Sequence, residues 1–133
     1  MEQTTIDAAT WETLRLAAVA AMERAYAPYS NFKVGAAALT TDGRMVSGCN
    51  VENAAYGVTL CAECSMVGEL FATGGGKLRA FYCVDATGTS IMPCGRCRQL
   101  LSEHRGENLE LMTPRGIQSM DQVLPDAFGP HNL

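Results

Sequence analysis

Apolar residues recur at helical spacing between residues 10 and 26, and this period predicts an amphipathic helix with Thr10 as its N-cap. Residues 32–40 and 44–51 are rich in strand-favouring side chains. The Asp42-Gly43 pair between them is a strong signal for a tight hairpin. The first part of the chain is therefore predicted to form one helix followed by two antiparallel strands.

The apolar pattern becomes helical again from Leu60 and stops at a run of glycines. Residues 78–84 are apolar almost throughout, which predicts a third strand buried on both faces. Pro93 begins another predicted helix, and residues 109–112 predict a fourth strand. The tail beyond that strand predicts no element. This order favours a mixed sheet covered by helices, in the α/β class.

Length and composition narrow the possible functions. The 133 residues fit one domain, residues 1–133, and a content of 47% hydrophobic and 18% charged residues is typical of a globular chain. The net charge of −4 and the lack of a basic run disfavour nucleic acid as a partner, because phosphates require many Lys and Arg side chains. A small neutral ligand suits this composition better.

The predicted location is the cytoplasm, without a membrane partner. The N-terminal residues are acidic and polar, unlike a signal peptide, and the sequence has no apolar run near the ~20 residues that a membrane helix needs. Disulfides rarely persist in the cytosol. The six cysteines therefore point to metal binding or redox chemistry before disulfides.

Four of the cysteines form two Cys-x-x-Cys pairs, Cys61 with Cys64 and Cys94 with Cys97. The cysteines alone leave structural and catalytic zinc equally open, and the order of strands disfavours a thioredoxin-like redox site. Both pairs lie where helices begin, and helix N-termini favour the thiolate that binds metal. Glu63, inside the first pair, favours catalysis, because a carboxylate beside metal-activated water can move protons during hydrolysis.

The segments Cys61-Ala62-Glu63 and Pro93-Cys94-Gly95-Arg96-Cys97 together resemble the signature of zinc-dependent deaminases. Further motifs resemble the homotetrameric cytidine deaminases, and the similarity extends over roughly residues 10–128. These motifs are Tyr29-Ser30-Asn31-Phe32, Val34-Gly35-Ala36-Ala37, Gly48-Cys49-Asn50-Val51-Glu52-Asn53-Ala54, Tyr56-Gly57 and Arg98-Gln99-Leu100-Leu101.

The resemblance implies a three-layer α/β/α fold with one mixed, mostly five-stranded sheet. It implies one Zn²⁺ per subunit, bound by Cys61, Cys94 and Cys97, with the fourth position open to water. Glu63 would carry protons between water, the pyrimidine ring and the departing amine. The implied reaction converts cytidine and 2′-deoxycytidine to uridine and 2′-deoxyuridine, with release of ammonia, in pyrimidine salvage.

The resemblance also implies the substrate contacts within one subunit. Asn50 and Glu52 would bind the ribose hydroxyls, and Phe32 would pack against the pyrimidine. The backbone N–H of Ala62 would hold the 2-carbonyl group.

Three further contacts would come from neighbouring subunits of a homotetramer with shared active sites. Ala54 and Tyr56 would reach the substrate from one neighbour, and Phe128 from another.

Cys64 departs from the pattern of many relatives, which have Arg at this position. Three thiolates on Zn²⁺ leave a formal charge of −1, which an Arg near the sulfurs would offset. Our hypothesis is that Cys64 is a neutral thiol and that Arg98, with the two helix N-termini, supplies this compensation.

Two other functions remain open at this point. One is deamination of a different cytosine-bearing small molecule, such as a nucleoside antibiotic. The other is a non-enzymatic module with a four-cysteine zinc site, for which Glu63 would have no use.

Overall fold

The structure, a computed structural model, describes residues 5–133 as a mixed sheet with helices on both faces. Its strands are β1 (Gly35–Thr40), β2 (Met45–Cys49), β3 (Leu78–Val84), β4 (Arg105–Thr113) and β5 (Gly116–Ser119). Its α-helices are α1 (Ala8–Met22), α2 (Ala62–Ala72), α3 (Gly95–Glu103) and α4 (Met120–Val123). Short 3₁₀ helices are formed by Tyr56–Val58 and Pro130–Asn132.

The five strands follow the order β2-β1-β3-β4-β5. β3 and β4 are parallel, and the other neighbouring strands are antiparallel. The predicted hairpin forms around Asp42-Gly43, with Leu39 opposite Met45, and Gly43 has the positive φ of 91° that such a turn favours. The predicted third strand matches β3 in both bounds, and its central position explains the near-continuous apolar run.

The helices lie in two layers, so the predicted three-layer α/β/α arrangement is confirmed. On β1, Ala37 packs with α1, whereas Ala36 and Ala38 face the cluster that contains residues of α2 and α3. The contact with α2 is very close at Gly48, where a Cβ atom would lie 2.3 Å from the backbone nitrogen of Met66. Glycine is thus needed on β2 to seat the helix that carries the first half of the cysteine motif.

The predicted bounds of the first helix are wrong at both ends. The N-cap is Asp7 and not Thr10, because Asp7 Oδ1 accepts a hydrogen bond from the Thr10 backbone N–H at 2.8 Å. The helix ends at Met22, and Tyr26 instead forms a bridge with Val51, donating its N–H to the Asn50 carbonyl at 3.0 Å. The contact of Tyr26 with the segment around Val51 thus replaces the helix that the apolar period predicted at this position.

The tail contains three elements that the pattern did not predict, namely β5, α4 and the 3₁₀ helix at Pro130–Asn132. β5 pairs with β4, and α4 begins at a capping box formed by Ser119 and Gln122. A four-residue strand and a four-residue helix are too short for a recognisable hydrophobic period. Among the described residues, no helix combines the length and apolar character needed to cross a membrane.

Candidate active site and metal centre

The three predicted zinc ligands meet where α2 and α3 begin. Cys61 is the N-cap residue of α2, Cys94 is the N-cap residue of α3, and Cys97 lies in the first turn of α3. The three Sγ atoms lie within 4.8 Å of one another. The two helix N-termini therefore direct their positive ends toward one cluster of thiols, which favours thiolate.

The donor set fits zinc. Soft thiolate ligands suit Zn²⁺, and three protein ligands with one open position are typical of catalytic sites. Cys64 is not part of the cluster. Its Sγ atom instead lies 3.9 Å from Nη2 of Arg96. A closed four-cysteine site is therefore not the arrangement that this fold favours.

The thiols differ in how readily they ionise. Burial, followed by the charge of Glu63, raises the pKa of Cys97 above its ordinary value. Burial also acts to raise the pKa of Cys94, but hydrogen bonds from the Cys97 backbone N–H and from the thiols of Cys97 and Cys61 outweigh it, so this pKa is lowered. Thiolates this close repel one another, and a bound dication would offset that repulsion.

Glu63 lies in the first turn of α2 beside the cluster and is only 4% exposed. Burial raises the pKa of its carboxyl group. A buried carboxyl group with a raised pKa is better suited than an ordinary one to accept and then return a proton, as a general acid–base catalyst must. Glu63 is thus a buried carboxyl group, suited to carry protons, next to a cluster that could hold a metal ion.

Glu63 lines a cavity of about 370 Å³ together with Cys61 and Cys94. Most of the wall is apolar and includes residues from four segments of the chain. The lining residues are Phe32, Val34, Asn50, Thr59, Leu60, Cys61, Ala62, Glu63, Ile91, Met92, Pro93 and Cys94. Ala62 is the first residue of α2, so its backbone N–H has no acceptor within the helix. This N–H is suited to bind a carbonyl oxygen.

Phe32 and Asn50, both predicted to contact substrate, lie in this cavity. Phe32 is 54% exposed and is thus no part of the hydrophobic core. Asn50 is buried, and its Oδ1 accepts from the Val34 N–H at 2.9 Å while its Nδ2 donates to the Phe32 carbonyl at 2.8 Å. The amide therefore stabilises the loop and still has one N–H and further acceptor capacity for a ligand.

Glu52 lines an adjoining cavity of about 320 Å³, and Thr59 lines both cavities. Glu52 Oε1 accepts from the backbone N–H groups of Tyr29, at 2.9 Å, and Ser30, at 3.1 Å. Glu52 Oε2 accepts from the Ser30 hydroxyl. These hydrogen bonds, with that of the Ser30 hydroxyl first, lower the pKa of Glu52. The carboxylate is a fixed, ionised acceptor at the rim of the site.

The residues predicted to act from neighbouring subunits lie outside the cavity that contains Glu63, although Tyr56 lines the adjoining cavity with Glu52. Ala54 and Tyr56 are exposed, and the Tyr56 ring makes an edge contact with Tyr29 at a centroid distance of 6.4 Å. Phe128 is exposed as well, and its backbone carbonyl accepts from Gln99 at 2.8 Å.

Arg98 lies in α3, directly after Cys97. Its Nε donates to the carbonyl of Pro93 at 2.8 Å, so its guanidinium braces the loop that leads into Cys94. Arg96 is the arginine that lies near Cys64, outside the cluster. Compensation of the thiolate charge by Arg98 stays a prediction.

Several residues of the cavity wall had no predicted role in the site. Ile91, Met92 and Pro93 line it directly before Cys94, and their position next to the second motif is the signal that could have identified them. Ser30 belongs to the motif Tyr29-Ser30-Asn31-Phe32, but no role was predicted for it. Its contact with Glu52 joins residues that are 22 apart in the sequence, which no local pattern indicates.

Known proteins are similar to this chain in sequence and in fold. Residues 9–113 match the family described as the cytidine and deoxycytidylate deaminase zinc-binding region. Cytidine deaminase of Mycobacterium tuberculosis is 55% identical over 123 residues, which cover 92% of this chain and 92% of that protein.

Solved structures agree. Cytidine deaminase from Mycobacterium leprae is 63% identical with a TM-score of 0.85, covering 87% of this chain and 98% of that one. The structure from M. tuberculosis is 54% identical with a TM-score of 0.87, covering 94% of this chain and 99% of that one. The family match spans both cysteine motifs and Glu63. This chain therefore belongs to the cytidine and deoxycytidylate deaminase zinc-binding family.

Proposed function

We propose that this enzyme hydrolyses the 4-amino group of cytidine and 2′-deoxycytidine, yielding uridine or 2′-deoxyuridine and ammonia. The observation that carries this proposal is the buried Glu63 carboxyl group in a cavity whose wall also contains Cys61 and Cys94. The high identity to cytidine deaminases over most of the chain supports the same substrate class. The metabolic role of this reaction would be pyrimidine salvage.

The reaction breaks the C4–N bond of the pyrimidine and forms a C4–O bond with water. Zn²⁺, held by Cys61, Cys94 and Cys97, would supply Lewis-acid activation of a water molecule. Glu63 would accept a proton from the attacking water and donate it to ring nitrogen N3 as the oxygen adds to C4. The same carboxylate would then take the remaining proton from the new C4 hydroxyl group and deliver it to the amine, so that the C4 carbonyl forms as the C4–N bond breaks and ammonia leaves.

The other cavity residues hold the nucleoside in place. Phe32, half-exposed at the cavity mouth, packs against the pyrimidine, and the Ala62 N–H at the helix N-terminus donates to the 2-carbonyl oxygen. Asn50 and the ionised Glu52 bind sugar hydroxyl groups. The apolar lining excludes competing water from the ring.

The active enzyme is proposed to be a homotetramer in the cytoplasm. Exposed aromatic side chains support assembly, since Tyr56 is 78% and Phe128 is 58% exposed in the single chain. In the tetramer Ala54 and Tyr56 would complete a neighbour's site, and Phe128 another. All six cysteines are unpaired, which agrees with a reducing compartment.

A nucleotide is expected to be a far poorer substrate than a nucleoside. No Lys or Arg is found among the described residues that line the two cavities, whereas Glu52 and Glu63 both carry acidic groups. A 5′-phosphate would therefore enter a site without a compensating cation.

The test is to follow the loss of ultraviolet absorbance with cytidine, 2′-deoxycytidine and cytidine 5′-monophosphate, with ammonia quantified in parallel. Both nucleosides should be converted, with a kcat/KM at least ~100-fold above that of the nucleotide, about 2.7 kcal/mol. Equal rates on the nucleotide would contradict the proposed substrate class, and no conversion of either nucleoside would contradict the function.

Replacing Arg98 by Ala should lower kcat/KM between about 10- and 100-fold, the usual cost of losing an outer partner of a metal site. The physical reason is that Arg98 holds the Pro93 carbonyl, and with it the loop that presents Cys94. Steady-state kinetics should be compared with Arg115→Ala, which removes an exposed guanidinium from the turn between β4 and β5. Near-normal turnover of Arg98→Ala would show that the brace is dispensable.

A further inference from the structure

The hydroxyl group of Ser30 lies between two residues that the proposed function uses. It donates to Glu52 Oε2, and its oxygen accepts from the Phe32 backbone N–H at 3.0 Å. One short side chain thus connects the carboxylate that binds the sugar with the residue that packs against the base. Ser30 itself is exposed and lines the cavity that contains Glu52.

The two oxygens of Glu52 are held in different ways. Oε1 accepts from two backbone N–H groups, those of Tyr29 and Ser30, which no ordinary substitution removes. Oε2 accepts from the Ser30 side chain, which a substitution can remove. A carboxylate oxygen has two lone-pair positions, so Oε2 can accept from Ser30 and from a ligand hydroxyl together. The Ser30 hydroxyl therefore determines how the second oxygen faces the cavity.

The backbone around Ser30 is shaped for this contact. Asn31 has a φ of +57°, in the left-handed region that Asn tolerates better than most residues, and its N–H donates to the Ala27 carbonyl at 3.0 Å. This turn directs the N–H groups of Tyr29 and Ser30 toward one carboxylate, like other concave anion-binding turns. The turn thus receives Glu52 in one orientation.

Phe32 depends less on Ser30 than Glu52 does. Its carbonyl still accepts from Asn50 Nδ2 at 2.8 Å when the contact to its N–H is lost, and that N–H can turn to water. Glu52 Oε2 has no such second anchor in the turn. The effect of losing the Ser30 hydroxyl should therefore fall mainly on Glu52.

We propose that Ser30 is a positioning residue for nucleoside binding, acting through Glu52. The inference rests on the proposed function, because it assumes that Glu52 binds a sugar hydroxyl. Ser30 lies outside the cavity that contains Glu63 and the cysteines, so it acts on substrate binding and not on the bond-breaking step.

The first test is steady-state kinetics of Ser30→Ala with cytidine. KM should rise about tenfold, as expected for losing a hydrogen bond to a charged group, while kcat stays within about threefold of wild type. Ser30→Thr keeps the hydroxyl and should restore KM to within about threefold of wild type. Thr87→Ala is the matched control, since Thr87 is also exposed and donates its hydroxyl and its N–H to a carboxylate, that of Asp85, away from the cavities.

The second test is a double-mutant cycle with Glu52→Ala. If Ser30 acts through Glu52, adding Ser30→Ala to Glu52→Ala should change KM by less than about twofold. An undiminished tenfold effect in that background, or a fall in kcat as large as the rise in KM, would overturn the role of Ser30 while wild type still deaminates cytidine. A wild-type enzyme that leaves cytidine unchanged would overturn the proposed function, and this inference with it.

Discussion

Replacing Glu63 by Gln is expected to lower kcat by at least about a thousandfold while zinc remains bound. Glu63 is buried at the cavity wall and is not a member of the three-thiol cluster, so its loss removes the proton carrier and leaves the metal ligands in place. The amide of Gln has nearly the same shape as the carboxyl group but cannot pass on a proton. The measurement is kcat with cytidine, with the zinc content of the same sample determined by atomic spectroscopy.

The matched control for this substitution is Glu69→Gln on the same helix. Glu69 is exposed, and Oε2 of its carboxylate accepts from the Ser47 N–H at 3.0 Å, a contact that Gln can also make. This variant should keep kcat within about twofold of wild type. A Glu63→Gln enzyme that keeps a tenth or more of wild-type kcat would remove Glu63 from the mechanism.

Replacing Cys94 by Ala is expected to abolish both tight zinc binding and deamination. Cys94 supplies one of only three thiols in the cluster, so the loss in affinity should exceed the roughly 10- to 100-fold that an outer partner costs. Cys64→Ala is the control within the same motifs, because Cys64 lies outside the cluster and should leave one zinc per chain.

Zinc per chain should be measured after dialysis against a chelator, alongside the thermal melting of each variant. The Cys94→Ala protein should also lose the stabilisation that added zinc gives to wild type. If Cys64→Ala lost zinc as completely as Cys94→Ala, the site would be a four-cysteine structural one, and the catalytic interpretation of the motifs would fail.

The central elements of the fold could be predicted because their patterns are local. Leu78–Val84 is apolar enough to be recognised as a strand covered on both sides, and Asp42-Gly43 marks the hairpin of β1 and β2 by turn chemistry alone. The residues at the edge of the fold could not be predicted in this way. Met120–Val123 is a helix of four residues, and its cap at Ser119 is visible only once β5 has ended beside it.

The candidate site shows the same division. The two Cys-x-x-Cys pairs and Glu63 are short-range signals, and the resemblance to the deaminase signature then implied Cys61, Cys94 and Cys97 as the ligands before the fold was known. The contacts that hold the site residues and their loops in place depend on the fold. That Arg98 holds Pro93, and that Ser30 holds Glu52, follows from how the loops meet in space, and the sequence contains no local pattern for either contact.

The most direct test of an open, catalytic zinc site is X-ray absorption at the zinc K-edge of the purified protein. The predicted spectrum has three sulfur scatterers and one lighter scatterer per zinc, with about one zinc per chain, as three cysteine ligands and an exchangeable position require. Four sulfur scatterers per zinc would contradict this, because Cys64 would then close the site and leave no position at which water could be activated.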